Sequence, residues 1–422
     1  MLRNVTRSHT SSATSSPQQN DATSVQPAAT PSAPTEAPLA RRTSGSADAA
    51  ARKRVRIGDR KFNIPVPFTS NVKTEVSFLP TGGTISAQGS VHSYEAGKVS
   101  GNELLAGIKL PRNTKVTAHE FSEEQFGTGI DSKNMNDKHW LEMMNKISAD
   151  PGLADKIVVT HGTDSMALTA FFLSLTLPPD LQKRKKVVLT GSMLPSNLPN
   201  ADGPGNLSKA FTLAKSKKGV GVLTEMAGDV FKAPFFDKRH TSSVKAFKAV
   251  NAEMAGKVKN GKVSMAHTRE LPTRIFDLSG VKQLPYVQVI EASPGTDPKF
   301  TQAFIQAAVD NRARGIVFAG TGNGTIDQEI EGTLKALAKD RKDILVVRAS
   351  MAGDGEVVRN GHFKDDEFDV ACAGRLPTAQ HARVLAQVAL AAADKASAGQ
   401  STDMAEVRRA FDDYQSPEHR TR

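Results

Sequence analysis

The sequence predicts an α/β fold, and three patterns carry that reading. From about residue 71 onward, short apolar runs with the character of buried strands alternate with stretches of helical spacing. Two of those runs end in loops of glycine and small hydroxyl residues, Thr81-Gly82-Gly83-Thr84 and Thr160-His161-Gly162-Thr163-Asp164-Ser165. After residue 287 a strand–helix–strand–helix–strand order implies parallel strands joined by right-handed crossovers.

In chain order, the first buried strand is the apolar run Val76-Ser77-Phe78-Leu79-Pro80. Trp140, Met143, Met144 and Ile147 share one face of a helix. Lys156 to Val159 reads as a strand, and Met166 to Leu177 as a helix stopped by Pro178-Pro179, because proline cannot continue the hydrogen-bond ladder. Lys186 to Thr190 and Val220 to Leu223 are further strands. In the second half, Val287 to Ile290 is followed by a helix over Lys299 to Arg314, closed by Gly315. Ile316 to Ala319, a helix with Ile326, Ile330, Leu334 and Leu337 inward, and the strand Ile344 to Val347 complete the unit. Helices around His381–Ala393 and Asp403–Tyr414 close the chain. The expected organisation is a tail over 1–70, an N-terminal domain over 71–272, a linker over 273–286 and a C-terminal domain over 287–422.

The first 60 residues are mostly Ser, Thr, Ala, Pro and Gln. With so few large apolar side chains the tail cannot offset its ordering entropy, and disorder is the expectation. The 422-residue chain carries a net charge of +11. The densest cationic stretch of the tail is Arg52-Lys53-Arg54-Val55-Arg56. Such a run could touch nucleic acid or an anionic membrane, and it fits a solvated linker equally well; no aromatic residues interleave with it, which argues against nucleic acid. Cys372 is the one cysteine, so no intrachain disulfide can form. No stretch approaches the ~20 apolar residues of a membrane helix, and the first 30 residues lack the apolar core of a secretory signal. A cytoplasmic protein, or one exported without that type of signal, is expected.

The two glycine–hydroxyl loops carry the chemistry. A threonine hydroxyl is a poor nucleophile until a base takes its proton and its geometry is held. Gly82, Gly83 and Gly162 would let backbone N–H groups approach a small ligand and face a developing oxyanion. Asp and His form no cluster at metal-ligand spacing, so neither a metal nor another cofactor is expected. Gly320-Thr-Gly-Asn-Gly324 lacks the spacing of a phosphate or dinucleotide loop.

Thr81-Gly-Gly-Thr84-Ile85, Thr160-His-Gly-Thr163-Asp164-Ser165-Met166, Leu189-Thr-Gly-Ser-Met193-Leu-Pro-Ser196, Asp202-Gly-Pro204, Asn206-Leu207 and Gly320-Thr-Gly-Asn-Gly324 occur in this order. Together they resemble the bacterial-type L-asparaginases, the asparaginase/glutaminase family, from about Thr74 to Tyr414. The resemblance implies a two-domain α/β fold with a larger N-terminal domain and a smaller, flavodoxin-like parallel C-terminal domain. It implies hydrolysis of asparagine, with glutamine as a side substrate, in a homo-oligomer built as a dimer of dimers. Thr84 matches the family's nucleophile and Tyr94 the lid tyrosine that bonds it. Thr163, Asp164 and Lys217 match a second triad, with Lys217 reached by counting without gaps from Asn206-Leu207. Ser132 matches the serine that holds the substrate carboxylate, Ser192 is a further substrate-binding position, and Asp164 would pair with the α-ammonium. Asn323 matches a residue reaching a neighbouring subunit's site, and Glu356 is chosen from Glu356, Asp365 and Asp366 as the partner-donated acid.

Two departures from the family bear on binding. Lys133 stands where many relatives have a small polar residue beside the carboxylate-binding serine, and an added cation there would act on carboxylate binding or substrate choice. The lid segment from Ile85 to Ser93 is short and poor in glycine, which would stiffen it. Two rival readings remain at this level: an amidotransferase subunit supplying ammonia to tRNA-bound substrate, supported by the basic extension, and a non-enzymatic interaction protein reusing the fold.

Overall fold

In the computed structural model, residues 52–57, 60–65, 73–127, 129–266 and 274–419 are described. Strands β1 (Arg52–Ile57) and β2 (Arg60–Pro65) form an antiparallel hairpin. The hairpin lies inside the stretch whose composition predicts no order, and the basic run Arg52–Arg56 forms most of β1. Alternation in Arg-Val-Arg-Ile and Lys-Phe-Asn-Ile around Gly58-Asp59 is the strand signal that averaging over the whole tail hides.

The rest of the chain, from Thr69, is one compact unit. Its N-terminal part begins with β3 (Thr74–Pro80), a short lid hairpin of β4 (Gln88–Gly89) and β5 (Tyr94–Glu95), helix α1 (Gly101–Ala106) and β6 (Thr114–Ala118). Helices α2 (Glu123–Phe126) and α3 (Asp137–Ala149) follow, then β7 (Lys156–Thr160), α4 (Met166–Thr176), α5 (Pro179–Arg184), β8 (Lys186–Thr190) and α6 (Gly203–Lys215). The chain continues through β9 (Gly221–Met226), β10 (Asp229–Phe231), β11 (Phe236–Lys238), β12 (Phe247–Ala249), β13 (Gly256–Lys259) and β14 (Lys262–Met265). Among the described residues, eight of these strands make one mixed sheet in the order β14-β13-β10-β9-β8-β7-β3-β6. β6, β3, β7, β8 and β9 run parallel, and β10, β13 and β14 are added in turn, each antiparallel to its neighbour.

Burial explains the strand sequences. Every residue of β8 is buried, as a continuous apolar run requires when helices cover both faces of a parallel sheet. One face packs against α6 through Phe78, Leu207 and Phe211, with the Phe78 and Phe211 rings 5.8 Å apart. The other face receives α3 and α4, where Trp140 stacks on Phe172 at 5.4 Å. α3 begins at a capping box in which Asn136 and His139 each satisfy an N-terminal backbone donor. α4 stops where Leu177 turns extended ahead of Pro178.

The C-terminal part holds β15 (Val287–Glu291), α7 (Pro298–Asp310), β16 (Gly315–Gly320), α8 (Gln328–Asp340), β17 (Leu345–Ser350), β18 (Ala371–Cys372), α9 (Ala379–Ala396) and α10 (Met404–Arg409). The four strands pair in sequence order, all parallel. α7 ends four residues before the position predicted from sequence, because Arg312 turns left-handed at φ 61°. The last predicted helix is split: α10 is followed by a separate 3-10 turn at Asp412–Tyr414. α4 and α9 join the two parts in one core, with Phe171 between His381 and Tyr414, each ring pair 5.8 Å apart. No helix among the described residues is long and apolar enough to cross a membrane.

Candidate active site

The two threonine loops leave the carboxyl ends of neighbouring parallel strands, β3 and β7, where loops gather around ligands in α/β sheets. They are stitched together by backbone. Thr81 N–H and Oγ1 both donate to Thr160 O, at 3.2 and 2.7 Å, and Gly83 N–H donates to Ile130 O at 2.9 Å. Gly83 sits at φ 81°, and a Cβ there would lie 2.4 Å from Gly162 Cα, so the loops touch at this pair and only glycine fits. A Cβ on Gly162 would in turn meet Ser132 Oγ at 2.5 Å.

Thr84 opens a 3-10 turn and is buried, and its hydroxyl is hydrogen-bonded to Tyr94 Oη at 3.2 Å. Tyr94 belongs to the lid hairpin and is exposed. Asn197 ties that lid down by accepting from Gly89 N–H at 2.9 Å and donating to Gly89 O at 3.0 Å. Thr163 is 5% exposed. Ser132 Oγ accepts from Asp164 N–H at 3.1 Å, which places the expected carboxylate-holding hydroxyl beside the carboxylate expected to take the ammonium. Lys133 Nζ pairs with Asp131 Oδ2 at 3.0 Å; that hydrogen bond, followed by the charge of Asp131, raises its pKa.

The lysine that meets Thr163 and Asp164 is Lys238. Its Nζ donates to Thr163 Oγ1 at 2.9 Å and to Asp164 Oδ1 at 2.6 Å. Lys217 is exposed in the turn after α6, so the gap-free count from Asn206 fails. β9, β10 and the run into β11 separate Lys217 from Lys238. One sequence signal speaks against Lys217, though none points to Lys238: both threonine loops follow strand carboxyl ends, whereas Lys217 precedes the strand beginning at Gly221.

Two more expectations change. Ser192 Oγ donates toward Asp202 Oδ1 at 2.6 Å and accepts from Leu194 N–H at 3.2 Å, so the buried hydroxyl holds its own loop and is not free for substrate. Glu356 does not reach outward. Its carboxylate accepts from Ser416 N–H at 2.7 Å and from the Ser416 hydroxyl, pinning the C-terminal segment of its own chain. The other two acids considered are also engaged, Asp365 with buried Arg348 at 2.6 Å and Asp366 with Arg359. Asn323 is exposed at the turn after β16; its carboxamide oxygen accepts from Val358 N–H at 2.8 Å.

His161 lies beneath the site, wholly buried. Trp140 Nε1 donates to Thr169 Oγ1 at 2.8 Å, the Thr169 hydroxyl meets His161 Nε2 at 2.9 Å, and His161 Nδ1 meets Gly162 O at 2.7 Å. A neutral ring protonated at Nδ1 satisfies all three contacts. Burial pushes its pKa down to about 4, and that of buried His381 to about 3. Buried Glu225, which accepts from Gly228 N–H at 2.7 Å, is pushed up to about 8, again by burial.

These shifts set a pH profile for stability. Below pH ~6.5 the unfolded chain takes up two imidazole protons that the folded chain refuses until about pH 4 and about 3, so stability is lost as pH drops. Between ~4.5 and about 8 the folded chain keeps the Glu225 proton that the unfolded chain releases, so this group lowers stability as pH rises. Two protons outweigh one on the acid side, and the expected maximum lies near pH ~6.5. Thermal unfolding from pH 4 to 9 measures it, and Glu225→Gln should flatten the alkaline limb; a midpoint still rising steadily to pH 9 contradicts the assignment.

Paired hydroxyls, one lysine and one carboxylate around close-packed glycine loops are the equipment of a nucleophilic hydrolase for a small polar substrate. Comparison with known proteins agrees with that class. The asparaginase N-terminal domain matches residues 75–271, and the glutaminase/asparaginase C-terminal domain matches residues 286–411. L-asparaginase 2 of Escherichia coli is 33% identical over 350 residues, covering 80% of this chain and 93% of that protein. The glutaminase-asparaginase of Pseudomonas fluorescens is 31% identical, covering 82% and 92%. The crystal structure of a probable cytoplasmic L-asparaginase from Campylobacter jejuni superposes with a TM-score of 0.71 at 30% identity, covering 81% of this chain and all of that one. The chain therefore belongs to the asparaginase/glutaminase family.

Proposed function

We propose that the protein is an L-asparaginase that releases ammonia from asparagine through a threonine ester, with glutamine as a slower substrate. The observation that carries the mechanism is the contact of Lys238 Nζ with both Thr163 and Asp164, on a loop packed against the Thr84 loop. Thr84 Oγ1 attacks the carboxamide carbon as its proton passes to Tyr94 Oη and the phenol's own proton is relayed to the leaving nitrogen. Backbone N–H groups of the glycine loops face the oxyanion, and the C–N bond breaks as the leaving nitrogen gains a proton. Lys238, when neutral, takes a proton from Thr163, and that pair activates the water that cleaves the ester. Asp164 receives the substrate ammonium and Ser132 its carboxylate. The exposed position of Asn323 supports a homo-oligomer in which a partner's turn completes the site. The names of the relatives, asparaginases and glutaminase-asparaginases, support the substrate class.

Ammonia release by the purified chain from asparagine and from glutamine tests the reading. Turnover of neither sinks it. Lys133 gives the substrate reading a sharper edge, because its charge lies one residue from Ser132 and within electrostatic reach of Asp164. Lys133→Gln should raise the KM for asparagine by roughly two- to ten-fold with kcat nearly unchanged, since an exposed charge contributes modestly to binding a carboxylate. An unaltered KM removes Lys133 from the binding site.

A further inference from the structure

The hairpin that presents Lys238 stands outside the main sheet. Among the described residues β11 and β12 pair only with each other, Phe236 with Ala249 and Lys238 with Phe247. An isolated two-stranded hairpin is marginal in water, so its position must be set by what packs on it. One side is apolar: Phe236 stacks on Phe231 at 5.3 Å and meets Phe247 at 6.1 Å in the core. The other side is gripped by the C-terminal part of the chain.

Asn251, two residues beyond β12, adopts the left-handed conformation at φ 55°. Its side chain mimics a peptide group: Oδ1 accepts from Gly355 N–H at 2.8 Å and Nδ2 donates to Gly355 O at 2.9 Å. Nδ2 also donates to Arg375 O at 2.8 Å, and the Arg375 guanidinium returns a bond to Asn251 O and covers the Phe235 ring at 5.2 Å. At the other end of the hairpin, Arg239 lies so close to Gly353 that a Cβ there would fall 1.8 Å from Arg239 Nη1. The loop following β17 therefore touches the segment on both sides of Lys238. The same loop is bound to the turn carrying Asn323, through Met351 N–H to Gly320 O at 2.9 Å and Ser350 Oγ to Gly322 O at 2.5 Å.

We infer that Asn251 is a positioning residue, through which the Met351–Glu356 loop sets the aim of Lys238 at Thr163 and Asp164. The inference rests on the catalytic reading of Lys238. Its physical basis is that two short contacts at one nitrogen leave little tolerance. Misplacing a reacting group by about 1 Å costs on the order of 100-fold in rate. A clamp made of backbone-directed bonds holds position more tightly than apolar packing alone, because it fixes direction as well as distance.

Asn251→Gly tests this without backbone strain, since glycine adopts the left-handed conformation freely. The expected result is a roughly ten- to hundred-fold lower kcat for asparagine with KM within about two-fold. In a Lys238→Met background the same change should have no further effect on kcat, because its route runs through that lysine. Gly353→Ala perturbs the clamp from the opposite domain by displacing only the end of the Arg239 side chain, and it should also lower kcat. It decides the matter if Asn251→Gly folds poorly. Unchanged kcat in Gly353→Ala and in folded Asn251→Gly overturns the proposal, as does an equal loss from Asn251→Gly with and without Lys238. Wild-type turnover in Lys238→Met would remove the parent reading itself, and is told apart by that single variant.

Discussion

Lys238→Met is expected to lower kcat for asparagine by about a thousand-fold or more, while Lys217→Met leaves it unchanged. Methionine keeps the length and most of the volume of the lysine stem and removes only the nitrogen. That nitrogen is the group bonded to both Thr163 and Asp164. A positioned acid–base group contributes roughly 10²–10⁴-fold, and loss of a member of a cooperating set falls at the upper end of such a range. Lys217 is exposed and remote from those bonds, on a surface where substitutions change little. Parallel measurement of ammonia release by the two variants separates the positions. If Lys217→Met is the inactive one, the second triad has been built from the wrong residue.

Thr84→Val should abolish turnover, with a loss of roughly 10⁴-fold or more. Valine replaces the hydroxyl with a methyl group of similar size in a site that is 7% exposed, so the change is chiefly the loss of the hydroxyl and its hydrogen bond. The hydroxyl makes one side-chain bond, to Tyr94, so stability should change by no more than about 1–2 kcal/mol. Rapid-quench mass spectrometry adds a direct readout. An aspartyl ester should be found on Thr84 in the Lys238→Met protein, where its hydrolysis is slowed, and none in Thr84→Val. An ester recovered on Thr163 instead would exchange the roles of the two hydroxyls.

Much of the fold and most of the candidate site can be read from the chain. The strands at Val76, Ile157, Val187, Val222, Ile316 and Val346 are buried apolar runs whose identity depends only on local composition, and their order implies the parallel sheets. Thr84, Thr163, Asp164 and Ser132 were legible because each sits one to a few residues beyond such a strand or in a glycine loop tied to it. Tyr94 was reachable as well, since its hairpin is local. Lys238 was not, because a lysine among so many gains meaning only from what its nitrogen touches, and those partners are about 75 residues away in sequence.

What the sequence determined by itself is the set of local elements and the glycine–threonine loops, since hydrophobic burial and glycine's steric freedom act over a few residues. What only the tertiary structure decided is which charged side chain meets which. Glu356 turned toward Ser416 and Lys238 toward Thr163, because a long polar side chain is placed by partners brought together from distant parts of the fold. Local patterns say what a segment can become. The pairing of a single nitrogen or carboxylate depends on the packing of the whole unit, and no spacing rule along the chain contains it.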